Sequence, residues 1–167
     1  MEKVIYVITH GEKHPNIPNP GLTVKGMMQI EQMAATKVSA EISKVICGTG
    51  KRHLETMKYL DLTADSYSPI CGSPDSSDIK DGKKVALLAD GTTFPLEQWI
   101  TPNTHNFLYG LEDKSLVIGG RPFLLGLGYN EAKEGQLIKI TIVDEGIPII
   151  GMIEILFSTD GKLDISL

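Results

Sequence analysis

Residues 4–12 read Val-Ile-Tyr-Val-Ile-Thr-His-Gly-Glu. The first five are β-branched or aromatic and no polar residue interrupts them, which is typical of a strand buried on both faces of a parallel sheet. The run then ends in a histidine, a glycine and a carboxylate. Because α/β sheets bind ligands beyond the carboxyl ends of their strands, we expect His10 to lie at a binding crevice.

A second strand and helix repeat this organisation. Lys44–Cys47 is a short apolar run, and Gly48-Thr49-Gly50-Lys51-Arg52 leads from it into a helical pattern. Between the two strands, Thr23 is placed to cap a helix whose apolar residues recur at helical spacing from Val24. This alternation predicts an α/β fold, a three-layer sandwich with a mostly parallel central sheet and helices on both faces.

The remainder of the chain gives weaker structural signals. The segment 66–84 is polar and rich in turn formers, so we interpret it as a surface excursion. Four later runs are predicted to be strands: Val85–Ala89, Leu116–Ile118, Leu137–Val143 and Ile149–Phe157. We expect one domain over residues 1–167, because a chain of this length removes about 70% of its unfolded surface from water.

Composition excludes several classes of partner. The chain carries 21 acidic and 16 basic residues, a net charge of −5, so no long-range field attracts nucleic acid or an anionic membrane. The most apolar stretch, 147–157, is too short to span a bilayer, and the N-terminal apolar run is too short for a signal peptide. We therefore expect a cytoplasmic protein with reduced Cys47 and Cys71.

The second strand end has the composition of an anion pocket. Glycines before a helix allow backbone amides to approach an anion, and the helix dipole favours negative charge there. Arg52 offers two nitrogens to a phosphate, and His10 beside it is a candidate nucleophile or general base.

Three other motifs are excluded by spacing. Gly50-Lys51-Arg52 lacks the serine or threonine of a P-loop, and His10-Gly11-Glu12-Lys13-His14 lacks the zincin spacing. Cys47 is one residue too close to Arg52 for the Cys-x5-Arg phosphatase pattern. No metal and no organic cofactor is implied.

The ordered set of motifs resembles the histidine phosphatase superfamily, the phosphoglycerate-mutase-like proteins. That family opens with an apolar strand and Arg-His-Gly-Glu, here Thr9-His10-Gly11-Glu12. Leu22-Thr23-Val24-Lys25-Gly26 is similar to its Leu-Thr-x-x-Gly helix entry, and residues 48–56 lie over Ser-Pro-Leu-x-Arg-Ala-x-x-Thr. Residues 116–122 resemble the Val-Gly-His-Asn-Pro segment of the small phosphohistidine phosphatases.

The resemblance implies a phosphate pocket floored by a histidine that becomes phosphorylated. It places His10 as the nucleophile, Glu12 at the rim, and Arg52 and Gly11 among the phosphate-binding residues. The chain departs from the family at two positions. Thr9 stands where the first arginine belongs, and Gly120 stands where the second histidine belongs.

These departures favour a pocket that binds a phosphate group weakly and hydrolyses phosphomonoesters poorly or not at all. The implied partner is a small phosphorylated molecule or a phosphoprotein. One alternative is an active phosphatase with a rebuilt pocket, in which Arg121 or a nearby residue such as Lys51, His14 or His53 replaces a lost ligand. The other alternative is a non-catalytic interaction module.

Several polar residues also have simple structural interpretations. Glu55 is predicted to lie on an exposed helix face, which is also the simpler alternative for Lys51 and His53, and His105 is predicted to lie in a loop. Asp90 and Glu97 are the candidate proton donors for a leaving group, although neither belongs to a motif.

Overall fold

The computed structural model describes residues 1–15, 17, 19–35, 41–73, 77–80, 83–87 and 93–159, with backbone alone between residues 77 and 102. The elements follow in the order β1 (Glu2–Thr9), α1 (Val24–Ala34), β2 (Lys44–Cys47), α2 (Lys51–Tyr59), β3 (Ser66–Tyr67), β4 (Ser77–Lys80), β5 (Lys83–Leu87), β6 (Thr93–Pro95), α3 (Leu96–Tyr109), β7 (Ser115–Gly119), α4 (Arg121–Gly126), β8 (Gln136–Asp144) and β9 (Pro148–Ser158).

The central sheet is six-stranded, in the order β3-β2-β7-β1-β8-β9. The pairings from β3 to β1 are parallel, whereas β8 pairs antiparallel with both β1 and β9. All of its strands except β8 therefore run in one direction, which confirms the predicted mostly parallel sheet. Register aligns Thr9 of β1 with Gly119 of β7, and Cys47 of β2 with Ile118 of β7. The carboxyl ends of these three strands thus lie at the same edge.

Helices cover both faces of this sheet. Alternate residues of β1 point to opposite sides: Val7 packs with Leu108 of α3 and Leu124 of α4, whereas Ile8 packs with Ile30 of α1. Helix α2 joins the second of these clusters through Met57. The predicted three-layer α/β sandwich is confirmed.

Helix α1 begins where the sequence predicts. Thr23 is extended and its Oγ accepts a 3.0 Å hydrogen bond from the Gly26 amide, which confirms it as the cap. The predicted pattern continued to Val38, but α1 ends at Ala34 and Val38 lies outside the described residues.

The middle of the chain differs from the prediction. The segment 66–84 was predicted to be irregular, yet β3 joins the central sheet and β4 and β5 pair with β6 in a separate three-stranded antiparallel sheet. The strand predicted at Val85–Ala89 begins earlier, at Lys83, and belongs to that second sheet. Strands β3 and β4 are mostly polar, so apolar patterning revealed only the Val85–Leu87 part of β5. The single-domain prediction stays a prediction.

His105 was predicted to lie in a loop, and this is wrong, because it lies within α3. The asparagines and threonine around it favour turns, but Leu108 near the end of the helix is fully buried against the sheet. Tertiary packing of the helix therefore overrides its low intrinsic propensity. No helix in the described part of the chain is long and apolar enough to cross a membrane.

Candidate functional site

The ends of β1, β2 and β7 form the floor of the candidate site. The His10 amide donates to Gly119 O at 2.9 Å, and the Gly48 amide donates to Ile118 O at 2.8 Å. These bonds continue the parallel pairing beyond the strands. They bring together the two segments that were predicted from the sequence to meet.

His10 is held in one orientation and one tautomer. The side chain is 3% exposed, and its Nδ1 lies 2.7 Å from Gly11 O. Because a carbonyl oxygen can only accept, Nδ1 carries the proton and the lone pair is left on Nε2. A neutral imidazole with a free Nε2 lone pair is the form that can act as a nucleophile or a base.

The surroundings of His10 keep it neutral. Burial and then the positive charges of Arg52, Lys13 and Arg121 lower the pKa of His10 to about 3, against the Gly11 hydrogen bond that raises it. Glu134 places Oε2 3.7 Å from Nδ1 but does not reverse the effect. Burial raises the pKa of Glu134 itself, against the nearby charges of Arg121 and Lys13, which lower it.

Arg52 lies beside His10, as the sequence predicted. It is 3% exposed, at the second position of α2, and its charge lowers the pKa of His10, Lys13 and His53. Thr56, one turn further along, donates to Arg52 O at 2.8 Å and accepts from the Gly11 amide at 3.3 Å. This hydroxyl links α2 to the loop that carries His10.

Two further cations surround the imidazole. Lys13 is partly buried, and its pKa is lowered by burial and by the charges of Arg52 and Arg121. Arg121 is exposed at the first position of α4, directly after Gly120. Its charge acts on His10, Lys13 and Glu134, so this predicted phosphate ligand lies at the same site.

Thr9 has a structural role. It is fully buried, and its Oγ donates to Lys133 O at 2.6 Å and accepts from the Gln136 amide at 2.8 Å. These bonds fix the loop before β8, and that loop carries Glu134. Glu134 in turn accepts from the Lys13 amide at 3.3 Å.

Glu12 and Gly11 contact the helices in the described structure. Glu12 Oε1 accepts from Thr23 Oγ at 3.0 Å, and its Oε2 lies 3.6 Å from Lys25 Nζ, so it supports the start of α1. A methyl group on Gly11 would lie 2.5 Å from Gly26 O, which is too close for any side chain. The proposed roles of Glu12 at the rim and Gly11 in phosphate binding stay predictions.

His53 does not lie on an exposed helix face, which was the simpler of its two interpretations from the sequence. The side chain is completely buried, and its ring meets that of His10 edge to face, with centroids 5.3 Å apart and an interplanar angle of 78°. Lys51 is exposed, whereas the prediction of an exposed Glu55 is wrong, because Glu55 is partly buried and its carboxylate accepts from the Leu22 amide at 3.3 Å. In the first turn of α2, the side chains of both Arg52 and His53 are therefore buried.

Lys13 and Glu134 also lie at the site, although neither was predicted from the sequence. Lys13 follows the quoted motif directly, so its position was a usable signal, but Glu134 belongs to no motif. Of the proposed proton donors, Asp90 and the side chain of Glu97 lie outside the described residues.

The cysteines do not supply a second nucleophile. Cys47 and Cys71 are both free and buried, and burial raises the pKa of each thiol to about 12. A thiol with so high a pKa stays protonated and unreactive at neutral pH. Within the described ranges, no group of three or more His, Cys, Asp or Glu side chains is arranged to hold a metal ion.

No family model and no curated protein matches the sequence. Solved structures do match the fold. A phosphoserine phosphatase from Entamoeba histolytica, solved with 3-phosphoglyceric acid, has a TM-score of 0.59 at 15% identity, covering 90% of this chain and 96% of that chain. A candidate alpha-ribazole-5'-P phosphatase from Escherichia coli has a TM-score of 0.63 at 15% identity, with coverages of 89% and 94%.

A third similar structure is the candidate phosphohistidine phosphatase SixA from Nakamurella multipartitia. Its TM-score is 0.54 at 10% identity, with coverages of 92% and 96%. The sheet order, the two helical layers and these neighbours agree on one architecture. The chain shares the fold of these three solved structures.

Proposed function

We propose that this protein binds the phosphoryl group of a phosphorylated small molecule or phosphoprotein in the pocket of His10 and Arg52, and hydrolyses phosphomonoesters slowly or not at all. One observation carries the proposal. A neutral imidazole with a free Nε2 lone pair lies among the positive charges of Arg52, Lys13 and Arg121. Cations around an uncharged nucleophile favour an anionic ligand that the nucleophile can approach.

Each cation contributes in its own way. Arg52 is buried, so its attraction to an oxyanion is screened less than that of a surface arginine. Lys13 is partly buried and has a lowered pKa, and a bound anion would favour its charged form. Arg121 at the exposed end of the pocket attracts an anion from solvent.

Slow turnover follows from the two replaced residues. Phosphoryl transfer depends almost entirely on positioning and charge stabilisation, so the phosphate ligands are themselves the catalyst. Losing one such donor costs about 2.7–4 kcal/mol, and losing two lowers the rate roughly 10⁴-fold or more if the effects are independent. Thr9 carries no charge, and its hydroxyl is already hydrogen-bonded to the loop before β8. Gly120 has no side chain.

Binding is tested by thermal unfolding with phosphate, sulfate or vanadate against chloride at equal ionic strength. A ligand at a hundredfold excess over its dissociation constant stabilises the fold by about 2.7 kcal/mol, which raises Tm by about 5–10 °C in a chain of this size. We expect this rise. An unchanged Tm at saturating concentrations of all three anions would contradict the proposal and favour the interaction module.

Hydrolysis is tested with a generic phosphomonoester such as p-nitrophenyl phosphate. Starting from a typical kcat of about 10 s⁻¹, the loss of two ligands predicts turnover on the order of 10⁻³ s⁻¹. Turnover at ordinary enzymatic rates that disappears in His10→Ala would overturn the slow-turnover part of the proposal while leaving the pocket in place.

An active phosphatase with a rebuilt pocket is the second candidate. It is favoured by the positive charges of Lys13 and Arg121, both of which act on His10. In that case Arg121→Ala should abolish turnover measured under the same conditions. Unchanged turnover in Arg121→Ala would count against this candidate.

A further inference from the structure

His53 has no hydrogen-bond partner within the described residues at either ring nitrogen, although its side chain is completely buried. The Gly50 backbone lies near the ring, but no hydrogen bond of ordinary geometry is formed. Burying an unpaired polar group is unfavourable, so such a group in a folded protein calls for an explanation. Its neighbours are the His10 ring and the Arg52 side chain, which are the two principal groups of the pocket.

Glycines enclose the ring of His53. A methyl group would lie 2.8 Å from His53 Cγ if placed on Gly48, 2.7 Å from Nδ1 if placed on Gly50, and 2.5 Å from Cε1 if placed on Gly72. Real Cβ atoms do not approach so closely, so no side chain at these positions fits beside this ring. Three separate backbone positions therefore lack a side chain where the imidazole lies.

Gly120 lies next to both the His53 ring and the His10 ring. A methyl group on Gly120 would lie 3.3 Å from Pro122 Cδ and 3.5 Å from both His10 Cδ2 and His53 Nε2, so both imidazoles contact the position that a side chain would take here. Its backbone is extended, with φ of −130°, and would accept any residue. His53, on α2, therefore lies next to the position that a side chain at residue 120 would take.

We propose that His53 is a phosphoryl-binding residue, whose Nε2–H donates a hydrogen bond to an oxygen of the phosphoryl group held beside His10. The inference rests on the proposed function. His53 is uncharged, because burial lowers its pKa well below the usual value and His10 and Arg52 lower it further. A neutral imidazole still offers one N–H, and an oxyanion supplies the acceptor that the described residues lack.

The first test is His53→Phe, which keeps an aromatic ring and removes both nitrogens. We expect vanadate affinity, measured by calorimetry, to fall roughly 10- to 100-fold, the usual range for a hydrogen bond to a charged group. We also expect Tm without ligand to stay the same or rise, because an unpaired buried group is removed. His105→Phe on α3, which packs on the opposite face of the sheet, is the matched control.

The result separates the inference from the proposed function. If the wild-type protein binds no vanadate, the proposed function fails. If it binds vanadate and His53→Phe binds it equally well, only the inference is overturned. A fall in Tm with unchanged affinity would likewise overturn it, because that is the result of a purely structural role.

A second test moves the imidazole from position 53 to position 120. His53→Ala should lose affinity as His53→Phe does, whereas the double variant His53→Ala/Gly120→His returns a ring to the same space and should recover most of it. A double variant no tighter than His53→Ala would contradict the inference.

Should none of these variants fold, ¹⁵N-histidine NMR of the wild-type protein gives an independent reading. The imidazole nitrogens of His53 should shift together with those of His10 as vanadate is added. A shift of His10 alone would overturn the inference.

Discussion

Arg52→Met should remove most of the affinity for phosphate and vanadate while the fold is retained. Arg52 is buried and carries the charge that acts on His10, Lys13 and His53 together. A charge-assisted hydrogen bond contributes about 1.5–3 kcal/mol, so losing a guanidinium that grips two oxygens should weaken binding at least about 100-fold. Calorimetric titration with vanadate, supported by the anion-dependent Tm, measures the change.

Methionine is a suitable replacement because it fills much of the volume of the arginine stem without leaving an unpaired charge. Lys58→Met, at an exposed position of the same helix, is the matched control and should bind vanadate as the wild-type protein does. Equal vanadate affinity in Arg52→Met and Lys58→Met would show that Arg52 does not contact the anion, against the proposed pocket.

Acidification should destabilise the protein steeply between pH 6.5 and pH 3. In this window His10 is neutral in the folded chain, since its pKa is lowered from 6.5 to about 3, but it becomes protonated in the unfolded chain. The unfolded state then binds more protons, so the free energy of unfolding falls as the pH falls. Each such imidazole contributes a slope of about 1.4 kcal/mol per pH unit, and His53, whose pKa is lowered in the same direction, adds a second.

Urea unfolding at several pH values between 7 and 4.5 measures this slope, and His10→Gln should reduce it by about one proton. Glu134 acts in the opposite direction near the lower end, because its pKa is raised in the folded state and it takes up a proton there first. Arg52→Met should also flatten the profile, since it removes one cause of the lowered His10 pKa. A free energy of unfolding independent of pH above 4.5 would contradict the assignment of buried, neutral imidazoles.

The elements of the central sheet could be predicted because buried strands have few alternatives. Val4–Ile8 lies inside β1, and the apolar run Lys44–Cys47 coincides with β2, since uninterrupted β-branched sequence at these lengths is suited to a strand buried on both faces. Of the second sheet only β5 was predicted, from the apolar run that begins at Val85, because Ser77–Lys80 is mostly polar and Thr93–Pro95 is too short to show a pattern. Helix α3 was missed because its middle is rich in turn-forming residues.

The meeting of His10 and Arg52 could be predicted from topology alone. Parallel strands deliver their carboxyl ends to one edge, and both residues follow such ends directly. The part played by His53 could not be predicted in this way. Adjacent helix positions differ by about 100° around the axis, so helical periodicity does not place Arg52 and His53 at one site, and the sequence left His53 as one of several alternative ligands. Only the glycines on neighbouring segments leave space for both to be buried.

Glu134 illustrates another limit of the sequence. It reaches His10 because Thr9 fixes the loop before β8, more than a hundred residues away along the chain. No local pattern encodes such a contact, which depends on β1 and β8 being neighbours in the sheet.

A crystal structure of the protein with bound vanadate tests the pocket most directly. The oxyanion should lie against Nε2 of His10, with the guanidinium of Arg52 bonded to its oxygens and Lys13 and Arg121 closing the same hollow. An anion bound at another surface, with His10 and Arg52 turned away from one another, would leave the fold in place and remove the function proposed for it.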